Sequence, residues 1–168
     1  GETQRRAGAA LARLKPGRGW FTAGSSGVEY ALLAAWRAAG LLPERPAFAS
    51  PGKVGRLAVV SGSVSPTTAR QIRHAGLNGF AALPVNPLSL AAEGAEQAVE
   101  DAVAAGLALL RAGISPLIHT ALGPAEDAGA NLDRIPGARH RIGQALGRIL
   151  RRLVEQEGLT RAVIAGGV

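Results

Sequence analysis

Short apolar runs alternate with amphipathic stretches along this chain, and that alternation limits the fold more than any other feature. Leu57-Ala58-Val59-Val60 is a continuous apolar run, the pattern of a strand buried on both faces. Phe80 to Val85, Pro116 to Thr120 and Arg161 to Ala165 are further short strand candidates, each bounded by Gly, Pro or Asn. Gly19 to Ala23 reads as a brief strand ahead of them. Between these runs the apolar spacing is helical. Val28, Ala31, Leu32, Ala35, Trp36 and Ala39 recur on one face, closed by Gly40. Pro66 opens a helix to about Ala75, and Ser89 is read as the N-cap of another reaching about Ala112. In 138–157 Ile142, Ala145, Leu146, Ile149, Leu150 and Leu153 make a complete inner stripe. Residues 3–15 read as a further short helix ended by Pro16-Gly17. Strand–helix alternation of this kind specifies an α/β fold, here a mostly parallel sheet of about five strands with helices on both faces.

At 168 residues the chain is one domain in size and can bury roughly 70% of its unfolded surface. It has no cysteine, which excludes disulfides, zinc–thiolate and iron–sulfur sites and thiol nucleophiles. The residues 41–55, with three prolines and two glycines, read as an ordered linker or long crossover. No apolar run reaches the roughly 18 residues of a membrane span, and no secretory signal opens the chain, so the expected compartment is the cytoplasm. The absence of methionine suggests a piece of a longer protein.

The formal charge of +7 comes almost wholly from arginine, since only Lys15 and Lys53 are lysines among 19 basic residues. A basic balance raises nucleic acid as a partner. The arginines are spread along the chain and only six residues are aromatic, so a solvated basic surface accounts for them better. Arg139, Arg141, Arg148, Arg151 and Arg152 occupy the side of their helix that the apolar stripe leaves to water.

In parallel sheets ligands sit at the carboxyl ends of the strands. Three serine- or glycine-rich turns fall there. Ser61-Gly62-Ser63-Val64-Ser65-Pro66-Thr67-Thr68 leaves a buried strand and enters a helix. Gly62 permits a close approach, Ser65 is placed as N-cap, and the N–H groups of Ser63, Thr67 and Thr68 are expected to be free to hold an anion. An ordinary capped strand-to-helix turn is the alternative that geometry leaves open. Gly24-Ser25-Ser26-Gly27 has the same placement, as does Ala165-Gly166-Gly167-Val168. The loop 121–137 holds Glu126, Asp127 and Asp133, any of which can hold magnesium beside phosphates or simply be solvated. His119 falls at a strand end and reads as a partly buried, satisfied side chain, with ligand contact as the alternative. No metal-ligand spacing is present, and neither a P-loop nor a dinucleotide fingerprint occurs: Gly52-Lys53 is followed by Val54, and Gly17-Arg18-Gly19 precedes its strand.

The string Ser61-Gly62-Ser63-Val64-Ser65-Pro66-Thr67-Thr68-Ala69-Arg70-Gln71-Ile72 closely resembles the hallmark of the four-carbon acid sugar kinases, some of which were labelled Hrp-dependent type III effectors. Ala23 to Leu32 resembles the turn opening their carboxyl-terminal domain, and Val163-Ile164-Ala165-Gly166-Gly167 resembles the start of their Gly-Gly-acidic-Thr-Ser turn. The resemblance implies that 1–168 is a single nucleotide-binding domain of a two-domain kinase, with the helix 1–16 connecting from an amino-terminal acid-sugar domain. It implies ATP and Mg2+ as cofactors and phosphorylation of the terminal hydroxyl of erythronate, threonate or 3-oxo-tetronate. Ser61, Gly62, Ser63, Ser65, Gly166 and Gly167 would hold the nucleotide, and Gly24, Ser25, Ser26 and Gly27 would line the cleft. No metal ligand or catalytic base is assigned, and homo-oligomerisation is left open. Val168 departs from the family's acidic residue, and no acid-sugar domain precedes the turn. The chain by itself is therefore expected to be inactive. The alternative is a non-catalytic effector or interaction module that keeps the fold.

Overall fold

The continuous apolar run at 57–60 forms the interior of the sheet. In the computed structural model, which describes residues 1–14, 21–43 and 47–166, β1 (Ala58–Ser61) is buried along its whole length. It pairs in parallel with β3 (Ser115–His119) on one side and β4 (Ala162–Ala165) on the other, and β2 (Phe80–Pro84) pairs in parallel with β3. The strand order is β2–β3–β1–β4. Register carries the argument about function: Ser61 stands opposite both His119 and Ala165, and His119 stands opposite Pro84. All four strands therefore end on one rim.

Alternation along the strands divides the core. Ala58, Val60 and Ile118 face α4 (Pro87–Ala91), α5 (Glu96–Arg111) and α7 (Ala138–Glu157), in a cluster that includes Leu90, Val103, Leu110, Ile142, Ile149 and Leu153. Val59 and Leu117 face the other way, onto Ile72 of α3 (Pro66–Gly76). A layer on each face is what a parallel sheet needs, since both of its faces are apolar. At the end of the sheet opposite the site, Glu157 holds the pieces together. It accepts from Arg56, just before β1, and from Arg111, at the end of α5, each at 3.0 Å. Arg56 also donates to the carbonyl of Leu110 at 2.6 Å.

Three elements differ from the sequence reading. The helix expected from Ser89 to Ala112 is two helices, because Asn86 rather than Ser89 caps the first: its side chain accepts from the Leu88 N–H at 2.9 Å, with Pro87 at the first helical position. Gly94, at φ +87, then turns the chain between α4 and α5. The loop 121–137 contains a 3₁₀ turn (Pro124–Glu126) and α6 (Gly129–Leu132) instead of being featureless. The fifth strand is absent from residues 21–23, where Phe21 is 91% exposed and no strand pairing is made among the described residues, while 19–20 lie outside them.

Residues 1–51 and 52–168 are separate compact units. The first is a pair of helices, α1 (Glu2–Arg13) and α2 (Ser26–Ala38). Their backbones meet so closely that a Cβ on Gly8 would lie 1.9 Å from the carbonyl oxygen of Ala31. Only glycine fits there.

Candidate functional site

β1 delivers Ser61 to the rim with 1% of its surface exposed. Its backbone is fixed on both sides. The Ser61 carbonyl accepts from Thr120 N–H at 3.1 Å, and the next N–H, of Gly62, donates to the carbonyl of Ala165 at 3.1 Å. Gly62 and Gly166 thus leave adjacent strands side by side. Gly167 and Val168 lie outside the described residues.

The serines of the turn are spaced by two, and the structure shows what that spacing does. The N–H of Ser63 donates to Ser61 Oγ (3.4 Å), that of Ser65 to Ser63 Oγ (3.2 Å) and that of Thr67 to Ser65 Oγ (3.2 Å). Each hydroxyl caps the amide two residues on, the local pairing that short polar side chains favour. Ser65 is the N-cap of α3 as expected. The expectation of free amides at Ser63 and Thr67 is corrected, because the neighbouring hydroxyls occupy them. The N–H groups of Val64 and Thr68 do lack an acceptor among the described residues. Ser63 Oγ and Thr68 Oγ1 share a hydrogen bond of 3.0 Å. The turn therefore arrives at the helix start rigid, with two unused amides and a row of hydroxyl hydrogens that can be redirected to an anion.

His119 is 2% exposed, and its Nδ1 has no hydrogen-bond partner. The reading of a satisfied side chain is corrected to that extent. Burial lowers its pKa below 6.5, against the opposing pull of Glu126 and of the Ala121 backbone. Glu126 folds back to accept from Leu122 N–H at 2.8 Å, and Asp127 accepts from Gly129 N–H at 2.8 Å. Arg73 of α3 donates to the carbonyl of Leu122 at 3.3 Å, tying this loop to the helix that the serine turn begins.

A cavity of about 30 Å³ joins these parts. Its lining includes Gly62, Val64, Thr120, Glu126, Asp127 and Arg139. That volume holds about one water or one ion. The rim thus brings together the Ser61–Thr68 turn, Gly166 and the two carboxylates. Gly24, Ser25, Ser26 and Gly27 belong to the other compact unit, where Ser25 is the N-cap of α2. Asp133 does not line the cavity but pairs with Arg139 at 2.9 Å. The sequence reading missed Arg139 and Thr120. The arginine was visible as a member of a basic helix, but its place in the first turn of that helix was the signal to weigh. Among the described residues no cluster of three or more His, Asp or Glu side chains is placed to hold a metal by itself. A wider groove of about 610 Å³ lies away from the rim, between the 92–96 turn and α7; there Glu96 and Arg148 pair at 2.9 Å and Arg141 donates to the Ala91 carbonyl at 2.6 Å.

Residues 58–168 match the family model described as the nucleotide-binding C-terminal domain. The matched segment begins at β1 and takes in the whole rim. The chain is also 42% identical over 160 residues to 3-oxo-isoapionate kinase of Paraburkholderia graminis, an alignment covering 90% of this chain and 34% of that kinase. The chain thus spans about a third of the relative's length.

Proposed function

Because the chain belongs to the family of nucleotide-binding C-terminal domains, we propose that it is the ATP-binding part of a kinase that phosphorylates the terminal hydroxyl of a sugar acid of the four-carbon type. Phosphoryl transfer asks the protein for positioning and for neutralisation of charge rather than for covalent chemistry. The rim offers both. The observation that supports the reading best is the shared register of Ser61, His119 and Ala165, which puts the serine turn and Gly166 side by side above the sheet. In this reading the Val64 and Thr68 amides and the hydroxyls of Ser61, Ser63 and Ser65 take the phosphate oxygens, and Gly166 and Gly167 join them in holding the nucleotide.

Magnesium fits the donors present. Glu126 and Asp127 each spend one oxygen on a backbone amide and keep a second, and hard carboxylate oxygens suit this ion. Two carboxylates do not complete its shell, so phosphates would supply the rest. The ion would neutralise charge on the transferring group.

The test is a melting experiment on the full chain with ATP and magnesium. At about ten times its Kd the nucleotide raises the melting temperature by roughly 3–6 °C. Ser63→Asp, which puts a carboxylate where phosphate would sit, abolishes the rise. A wild-type chain that shows no shift at millimolar ATP refutes the reading. Val168, where the family carries an acidic residue, is the observation behind the alternative of an interaction module. ATP-dependent phosphorylation of 3-oxo-isoapionate, erythronate or threonate by a protein carrying this chain excludes that alternative.

A further inference from the structure

The start of α7 is built against its own electrostatics. Its N-cap is Gly137, at φ +70, with no side chain to accept from the first amides, and its first turn contains no acidic residue. Arg139, His140 and Arg141 stand there instead. The positive pole of a helix disfavours cations and attracts anions. Arg141 is accounted for, since it donates to the Ala91 carbonyl, and His140 points to solvent. Arg139 is different. Its hydrogen bonds go to Asp133, through Nε at 3.2 Å and Nη2 at 2.9 Å, and both side chains are about half exposed or more, at 46% and 65%. An exposed pair of this kind holds weakly and opens easily.

Arg139 also lines the cavity that Gly62, Val64 and Thr120 line. The turn between β1 and α3, through Gly62 and Val64, and the first turn of α7, through Arg139, therefore border one small space, and the Val64 amide is unused. The carboxylates of Glu126 and Asp127 border that space, and a polyphosphate would be repelled by them without a cation near. Among the described residues lining the cavity, Arg139 is the cation. Gly129 packs between the two charges: a Cβ on it would lie 3.0 Å from Asp127 Oδ1 and 3.4 Å from Arg139 Nη2.

We propose that Arg139 is a phosphate-binding residue held in reserve by Asp133, which leaves that carboxylate and engages the polyphosphate when a nucleotide occupies the serine turn. A planar guanidinium donates two parallel hydrogen bonds, so phosphate oxygens can replace the carboxylate oxygen with the same fork. The inference rests on the nucleotide reading and goes beyond it in naming the residue that senses the phosphate chain.

Titration calorimetry of the full chain with ATP and with adenosine, both with magnesium, tests it. Arg139→Gln weakens ATP about tenfold or more and leaves adenosine unchanged. Asp133→Asn, which frees the arginine, binds ATP at least as tightly as the wild type. Arg70→Gln is the control for loss of a nearby charge, because Arg70 is on α3 but outside the cavity, donating to Thr67 Oγ1 at 3.1 Å; it changes ATP binding less than Arg139→Gln. Melting temperatures without ligand show that the variants fold. If Arg139→Gln binds ATP like the wild type while Ser63→Asp loses it, the Arg139 proposal fails and the nucleotide reading stands. Equal loss of ATP and adenosine also overturns the proposal, since the damage is then not to phosphate recognition. A wild-type chain that binds no ATP removes both.

Discussion

His119 is a buried imidazole whose Nδ1 makes no hydrogen bond, at the end of the strand next to β1. Burial disfavours its cation, so its folded pKa lies below the 6.5 at which an unfolded histidine takes up its proton. Protons then bind the unfolded chain preferentially as pH falls through that value. Stability is full above about pH 6.5 and declines below it, down to the folded pKa. His119→Leu removes this titration. Melting temperature measured against pH shows a shallower decline below 6.5 in the variant, and an unchanged slope would disprove the assignment. The same residue illustrates what a sequence conveys at this scale. Its position at a strand end was legible from the apolar run before it. That its ring is sealed in with an unmet nitrogen depends on Ser61 and on the folded-back 121–126 loop, which are far away along the chain or irregular in pattern. The serine turn divides in the same way: its cap at Ser65 follows from local rules, whereas the bond from Gly62 to Ala165 spans a hundred residues.

Among the elements, α7 does most to close the core. Its stripe was complete in the sequence, and its bounds at Ala138 and Glu157 coincide with the expected ones. Leu153 is fully buried, and its methyl groups lie near 3 Å from where a Cβ on Gly106 of α5 would be, so the two helices touch through a glycine notch. Leu153→Ala leaves a hole that neither helix can fill, and costs about 2–5 kcal/mol by urea or thermal unfolding. A loss below about 1 kcal/mol would mean that α5 and α7 collapse together and that the notch is not rigid. The ion pairs flanking this contact, Glu96–Arg148 and Glu100–Arg152, are exposed and add only about 0.2–1 kcal/mol each. The arginine side of α7 is thus mostly a wet face clothed by its neighbour's acids, as its pattern indicated, except in the first turn. Periodicity sees which side of a helix is apolar. It does not see that the first turn of a helix borders a cavity with the turn that leaves a distant strand, and so Arg139 looked like one more surface cation.

At the scale of the 52–168 unit, the sheet has a binding rim and an opposite end that Glu157 locks. Burial of Glu157 opposes its charge, but Arg111 and Arg56 outweigh that and hold its carboxyl below the usual 4.5. A lowered carboxylate pKa contributes stability that is present above about pH 4.5 and vanishes as pH falls through the folded value. Glu157→Gln therefore lowers the melting temperature at neutral pH, and the difference from the wild type narrows in acid. A gap that stays constant down to pH values below 4.5 would show that the carboxylate's charge is not what holds β1, α5 and α7 together there. The edge strand β4, with Ile164 73% exposed, carries Gly166 to the rim. By itself the sequence determined the strand–helix alternation, the buried central strand, the apolar stripe of α7 and the serine turn with its cap, because each follows from contacts or torsions within a few residues. The fold alone decided that Gly62 bonds to Ala165 and that Arg139, Asp127 and Gly62 share one cavity. Those outcomes depend on which strand ends and helix starts come to lie side by side, and no spacing along the chain encodes a juxtaposition that register and packing create.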